Sequence, residues 1–492
     1  MKVREASLLM GADAKSASAE IFDKEIKDFS IDSRSVDAGE LFFALSQEDY
    51  ARAGFNGTFL DAHRFIPEAF ARGAVAAVAR RDRVAGDENL RRLGDRLLLV
   101  DDAIAALQKL ARRVYEGWNK PVVAITGSAG KTTAKELTAH LLAASGRRVL
   151  KSERNYNNGL GLPLSVLRMV SQGHSPDFFD LAVLEMGMSS PTHEIRRLCQ
   201  ITPPDVGVEL MIAPVHLEHL GSIENIVAAK AELIEGLKPG GTAILNADDE
   251  WVMGMREKHS GRTITFGVEH HADITAKNID TSQLGRIQFS LTTPLGTEQS
   301  ELRMSGRHNL MNALAAAAVA TCFNMPPKEI ARALRTARPP QMRGEVLEFA
   351  AGFIVVDDSY NSNPRSLLNM VRTIAEGGRG MRRRIVIAGE MLELGTDEAR
   401  LHYEAGRQIS ELGVEVLWGV RGLAERMVAG AKDAGLTETR FFDNSTLAAE
   451  AVVQELRDGD LVLVKGSRGV ATDRIISELR RRFPLVGEDE QA

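Results

Sequence analysis

Residues 124–133 read AITGSAGKTT and continue the apolar run that begins at Val122. A helical pattern, TAKELTAHLLAAS, follows and is closed by Gly146. Strand, glycine turn and helix in that order form the context in which backbone N–H groups and a helix dipole are presented to a phosphate. The usual pattern, G-x-x-x-x-G-K-[ST], asks for a glycine at the position held here by Ile125, so the loop is a shortened one. Gly127 and Gly130 permit the tight turn, Lys131 would bridge phosphates, and the Thr132 hydroxyl would take a magnesium ion. The plainer alternative is a strand-to-helix turn that happens to carry Gly-Lys-Thr.

Working outward from the loop, LAVLEM (181–186), DVGVELMI (205–212) and TAILNA (242–247) are further apolar strands separated by helical stretches. That alternation predicts a mostly parallel sheet wrapped by helices. The Thr- and Ser-rich stretch 272–303 alternates apolar and polar residues, which predicts appended antiparallel strands. Upstream, ELFFAL (40–45), RLLLV (96–100) and the helical HRFIPEAFARGAVAAVA form a small α/β unit. Downstream of the proline-rich break ARPPQMRG (337–344), a third α/β unit alternates FIVVDDS, RRIVIAGE, VEVLWG and DLVLVKGS with helices. The expected division is 1–102, 103–338 and 339–492. The acidic GEDEQA at the end is expected to be disordered.

Composition narrows the function. The 492 residues carry a net charge of −6 with 44% hydrophobic content, enough for roughly three domains of about 150 residues each. That balance gives no general attraction for nucleic acid or an anionic membrane, so phosphates must be bound locally. Cys199 and Cys322 make no disulfide framework and no Cys-x-x-Cys pair, which fits a reducing cytoplasm. The N-terminus has no sustained apolar core and NALAAAAVATCF is too short to cross a bilayer, so neither export nor membrane insertion is expected.

Polar residues at or near the ends of apolar strands are the remaining candidates, because open α/β sheets hold ligands there. Glu185 ends LAVLEM, His216 and Glu218 follow MIAPV, and Lys230 lies on the next helix in AAKAEL. A carboxylate and an imidazole near the loop could hold a divalent cation; a lone Glu at a strand end can equally be a cap. NYNNGLGLP (155–163) and DDSYNSNP (357–364) offer amides beside close backbone, or else are Asx-turn connectors.

Taken in order, these segments resemble the Mur ligase family, ATP-dependent amide-forming enzymes of peptidoglycan precursor synthesis. Thr126 to Thr133 match the family's short loop T-G-[ST]-x-G-K-[ST]-[ST], which brings Ser128, Ala129 and Thr133 into the ATP-binding set with Gly127, Gly130, Lys131 and Thr132. Asn155-x-Asn157-Asn158-x-x-Gly161-x-Pro163, Glu185-x-Gly187, the His216 loop and Lys230 recur in the family's order. So do GRHNLMNALAAAA, where Asn309 matches an adenine-reading residue, and QMRGE, where Arg343 matches a nucleotide contact. DDSYNSNPRSL, AGEMLELG with Glu390 in place of the commoner Asp, and VLVKGSRG resemble the branch that adds D-alanyl-D-alanine. SIDSRSV and GELFFAL resemble the uridine-nucleotide domain.

The resemblance implies a three-domain α/β fold: a small N-terminal α/β domain, a central mostly parallel P-loop ATPase-like sheet and a Rossmann-like C-terminal domain. It implies ATP and magnesium, with UDP-N-acetylmuramoyl-tripeptide and D-alanyl-D-alanine as substrates, in a cytoplasmic monomer with no nucleic-acid or membrane partner. Lys131, Glu185, His216 and Lys230 would be catalytic. Thr132, Glu185, His216 and Lys230, the last as a carbamate, would hold metal. Asp358 and Asn361 would join the ATP set, and Ser33, Arg34, Asn157, Asn158, Lys465, Ser467 and Arg468 would contact substrate. The alternatives are a sister ligase adding one amino acid, folylpolyglutamate synthetase, or a silent ATP-binding partner protein.

Overall fold

The computed structural model describes residues 1–14, 18–153, 155–188, 193–213 and 220–487. Among them the strands form three sheets. The first is four-stranded and parallel, in the order β1 (Phe29–Ser30), β2 (Leu41–Phe43), β3 (Ala76–Arg80) and β4 (Leu97–Val100). The helix Ala103–Trp118, capped by Asp102 accepting from the Ala105 N–H at 2.9 Å, packs between this sheet and the next. One apolar cluster therefore runs from Val3 and Phe43 through Leu107 to Val122 and Leu184.

The central sheet holds β5 (Val122–Thr126), β6 (Val149–Lys151), β7 (Leu181–Glu185), β8 (Val206–Glu209), β9 (Thr242–Asn246), β10 (Arg262–Gly267), β11 (Ile274–Asp280), β12 (Ile287–Thr293) and β13 (Gly296–Leu302). Its spatial order is β13-β12-β11-β10-β9-β8-β5-β7-β6. All pairings from β6 to β11 are parallel, and β12 and β13 return antiparallel. The expected antiparallel addition is there, but β11 itself runs parallel to β10. The chain leaves β5 toward β6 on one side, and β8 lies on the other. The crevice of a doubly wound sheet falls at such a switch point, here above β5, which ends in the loop.

The third sheet runs β14 (Glu345–Glu348), β15 (Ile354–Asp358), β19 (Asp460–Lys465), β16 (Arg383–Gly389), β17 (Val416–Val420) and β18 (Glu438–Phe442). Only its edge strand β14 is antiparallel. The helix Arg307–Cys322 belongs to the central unit. It is buried nearly all round, which its run of alanines permits, and packs on the loop helix Lys131–Ala144.

Candidate active site

The loop is built as the sequence predicts. β5 is buried along its length, Gly127 and Gly130 take φ of 149° and 86°, and the helix starts at Lys131. Gly130 must be glycine for a second reason, since a Cβ there would run into the Asn312 amide oxygen. The Ser128 hydroxyl donates to Ala213 O at 3.1 Å and accepts from Ala213 N at 2.9 Å, tying the loop to the segment after β8. Lys131 Nζ folds back to donate to Gly127 O at 2.8 Å.

Side chains alternate across a strand, and register decides which face each candidate takes. Glu185 stands level with Ile125, on the face covered by the loop helix. There it accepts from the Thr132 hydroxyl at 2.9 Å and the Asn157 amide at 2.8 Å. Glu209 stands level with Thr126 on the opposite face, where the helix Ile223–Glu235 brings in Lys230. Lys230 Nζ donates to Thr126 Oγ1 at 3.5 Å. Both Lys230 and Glu209 are buried, and among the described residues neither Glu209 oxygen has a hydrogen-bond partner.

Burial governs the electrostatics. It pushes the Glu209 carboxyl up to about 8 against the pull of Lys230 and Lys131. Burial, then the nearby Lys131 charge, takes the Lys230 amine down to about 7. Lys131 is itself lowered, first by burial, while Glu185 pulls the other way and Arg343 adds to the lowering. The third unit thus extends a charge toward the loop.

On that unit, Asp358 and Lys465 are paired in register on β15 and β19. Lys465 Nζ donates to Asp358 Oδ2 at 2.6 Å and to Asn361 O at 2.8 Å. The Ser467 hydroxyl accepts from Leu392 N at 2.9 Å. The guanidinium of Arg343 lies 4.0 Å from the centre of the Tyr360 ring, with that of Arg468 6.0 Å from the same ring. Asn309 is buried and donates to Ser305 O at 2.8 Å, and its amide nitrogen would be 3.9 Å from a Cβ on Gly344.

The structure therefore gathers two sets. Gly127 to Thr133, Asn157, Glu185 and Lys230 surround the end of β5, with Asn309 and Arg343 following toward the third sheet. Asp358, Asn361, Lys465, Ser467 and Arg468 share that sheet's crest. Asn158 is a turn residue, its side chain accepting from Leu160 N and Gly161 N at 3.1 and 2.9 Å. Ser33 is buried in a short 3-10 turn, and the exposed Arg34 is held by its own Asp32 at 2.7 Å. Neither touches the loop set. His216, Glu218 and His219 lie outside the described residues, as do 488–492 of the acidic tail. Sequence reasoning passed over Glu209, whose signal was a carboxylate inside the apolar DVGVELMI, and Asn312, which has no signal beyond a polar residue on an alanine-rich helix.

Among the described residues no group of three or more His, Cys, Asp or Glu side chains is arranged around a metal position. The Thr132 hydroxyl and Glu185 carboxylate, in contact at 2.9 Å, are nevertheless the hard oxygen donors magnesium takes, and that ion keeps much of its shell for water and phosphate. The donor set fits.

Fold and site together define an α/β enzyme that grips a nucleotide at one sheet and faces it with a second. The Mur ligase middle domain matches residues 125–320, and the Mur ligase, glutamate ligase domain matches residues 342–468. A UDP-N-acetylmuramoyl-tripeptide--D-alanyl-D-alanine ligase of Bacillus subtilis (strain 168) is 32% identical over 450 residues, covering 91% of this chain and 92% of its own. That of Mycobacterium leprae (strain TN) is 34% identical over 483 residues, covering 89% and 90%. Among solved structures, MurF from Acinetobacter baumannii superimposes with a TM-score of 0.79 at 27% identity over 93% of this chain and 94% of its own. MurF ligase from Thermotoga maritima in complex with ADP gives 0.76 at 26% identity over 93% and 97%. Folylpolyglutamate synthase of Mycobacterium tuberculosis, at 16% identity and a TM-score of 0.58, shares the fold alone. The chain belongs to the Mur ligase family.

Proposed function

We propose that this chain joins D-alanyl-D-alanine to UDP-N-acetylmuramoyl-tripeptide with ATP, through an acyl phosphate, in peptidoglycan precursor synthesis. The observation that carries the ATP half is the convergence on Glu185 of the loop hydroxyl of Thr132 and the amide of Asn157. It joins the nucleotide loop to the segment on which the acceptor's carboxylate would lie. The relatives' shared name carries the choice of substrates. The units 1–102, 103–338 and 339–492 would hold uridine nucleotide, ATP and the incoming dipeptide, with Ser33 and Arg34 toward the first.

A carboxylate and an amine do not condense unaided, because the leaving oxygen must first be made a good leaving group. Lys131 exchanges the Gly127 carbonyl for phosphate oxygens, offsetting repulsion as the γ-phosphate approaches the acceptor carboxylate. Ser128, Ala129, Gly130 and Thr133 present the loop and helix start to the phosphates, while Asn309 and Arg343 hold the adenine side. Magnesium at Thr132 and Glu185, with a second ion reached by His216 and Lys230, would supply further charge neutralisation. Lys230, placed against Thr126 beneath the loop, has a fraction of neutral amine near pH 7 that favours its carbamate over a buried ammonium. The amine of D-alanyl-D-alanine, held by Lys465, Ser467 and Arg468, then attacks the acyl phosphate and phosphate leaves. Asp358 and Asn361 keep Lys465 in place and lie toward the nucleotide.

The test is phosphate release by purified protein with UDP-N-acetylmuramoyl-tripeptide and a panel of amines. Turnover with D-alanyl-D-alanine and not with single amino acids is expected. Turnover only with glutamate or a diamino acid would move the chain to a sister activity, and ATP binding with no release would make it a silent partner.

A further inference from the structure

The loop after β19 is held in part by a residue outside both sets. Arg421 follows β17 directly and holds a left-handed backbone, φ 68°. That conformation is uncommon for a side chain larger than hydrogen and persists where surrounding contacts over-determine it. Two contacts hold the Arg421 side chain. Its Nη1 donates to the Gly469 carbonyl at 2.5 Å, and its Nε lies 3.8 Å from Glu390 Oε2. Glu390 is in turn seated by the Leu423 N–H, which donates to Oε1 at 2.9 Å, and by Gly422, where a Cβ would run into the same carboxylate. The Glu390 backbone carbonyl accepts from Ser467 N at 3.3 Å. Glu390 and Arg421 therefore grip the Lys465–Gly469 segment from two sides, one at Ser467 and one at Gly469.

We propose that Arg421 is a positioning residue for the amine substrate, acting through the Gly469 carbonyl to fix the direction in which Ser467 and Arg468 face. This rests on the reading of Ser467 and Arg468 as contacts to D-alanyl-D-alanine. Without the clamp, the segment keeps its anchors at Ser467 and at buried Val470, whose carbonyl accepts from the Ser445 hydroxyl at 2.6 Å, and the stretch between them that carries Arg468 loses a restraint. Amine binding weakens while the ATP loop, which belongs to the central sheet, is untouched.

Arg421→Gly is the informative change, because glycine accepts φ 68° freely and removes only the side chain. Two readouts separate the clamp from the substrate reading. Hydrogen exchange of residues 465–470 should accelerate in the variant while that of β15, β16 and β17 stays at the level of the unaltered protein. The KM for D-alanyl-D-alanine should rise roughly tenfold, the loss that corresponds to one charge-assisted hydrogen bond, with the KM for ATP unchanged. Arg421→Lys, which keeps one donor and the charge facing Glu390, should recover most of both. Unchanged exchange in 465–470 would overturn the clamp, as would a rise in all three substrate KM values together. An enzyme that does not turn over D-alanyl-D-alanine would overturn the substrate reading, and the exchange experiment would still decide the clamp.

Discussion

Replacing Glu209 by Gln should make the protein more stable as the pH rises, by an amount the structure sets. Burial, with no hydrogen-bond partner among the described residues, penalises the charged form and pushes the folded carboxyl up to about 8 from an ordinary 4.5. Below pH 4.5 it is protonated in both folded and unfolded chains and nothing is lost. Between 4.5 and 8 the unfolded chain releases a proton that the folded one retains, so stability falls as pH rises, at about 1.4 kcal/mol per unit, and levels off above 8. At pH 7, two and a half units above 4.5, the loss is about 3 kcal/mol. Glutamine is isosteric and cannot ionise, so the variant avoids that loss. Lys230 feels the Glu209 charge, so the pH series is repeated with Lys230→Met in both proteins, which removes its titration and the pull it exerts on the carboxyl. The assay is urea unfolding at pH 5, 6, 7 and 8 in buffer free of nucleotide, magnesium and carbon dioxide. It is followed by the fluorescence of buried Trp118 after Trp418→Phe removes the signal of the third sheet and Trp251→Phe that of the exposed third tryptophan. The advantage of Glu209→Gln should grow steadily from about 1 kcal/mol at pH 5 to about 4 kcal/mol at pH 8. A difference that stays flat within about 0.5 kcal/mol across the series, the ordinary scatter of an inert substitution, would refute the buried, unpartnered carboxyl.

Lys230→Ala should abolish most phosphate release, and short carboxylates added to the assay should restore part of it; full activity of the variant would remove the carbamate. Gly130→Ala forces a Cβ onto Asn312 at a left-handed φ, so stability should fall by about 1–3 kcal/mol. ATP affinity, measured by displacement of a fluorescent analogue, should fall with it and be partly recovered by adding Asn312→Ala. Asp358→Asn leaves the buried Lys465 ammonium without its anion, a loss of about 3–5 kcal/mol that Trp418 fluorescence should report as early unfolding of the third sheet. Lys465→Met in the same background should restore much of the stability and none of the activity.

What the sequence disclosed was local, and what it concealed was set by packing at long range. The apolar runs VVAIT, LAVLEM and FIVVDD declare buried parallel strands because both their faces are covered. β14 and β18 are edge strands with exposed glutamates in EVLE and ETRFF, so no such run marks them. The glycines of the loop announce a turn by themselves. Glu209 was visible as an odd carboxylate in an apolar strand, but its lack of a partner depends on which helix lands on that face. Arg34 shows the reverse limit. Nothing in SIDSRSV tells that the exposed guanidinium turns back to the neighbouring Asp32. Arg421 is hidden for a similar reason, since neither its backbone conformation nor its reach to Gly469, 48 residues away, leaves a trace in VLWGVRGL.

The shortness of the loop has a structural cause in the sheet beneath it. The position where longer phosphate loops carry their first glycine is Ile125, fully buried and paired on both sides, with Glu185 on β7 and Val208 on β8. A glycine there would remove the side chain that fills the face under the loop helix and loosen the strand at the level of Glu185. β5 must continue one residue further, because Thr126 is the group that Lys230 reaches and that stands level with Glu209. The turn can start only at Gly127. One extra strand residue thus sets a carboxylate on each face of the sheet end, with Glu185 toward the loop helix and Glu209 toward the Lys230 helix. Lys131, sitting over the end of β5, feels both.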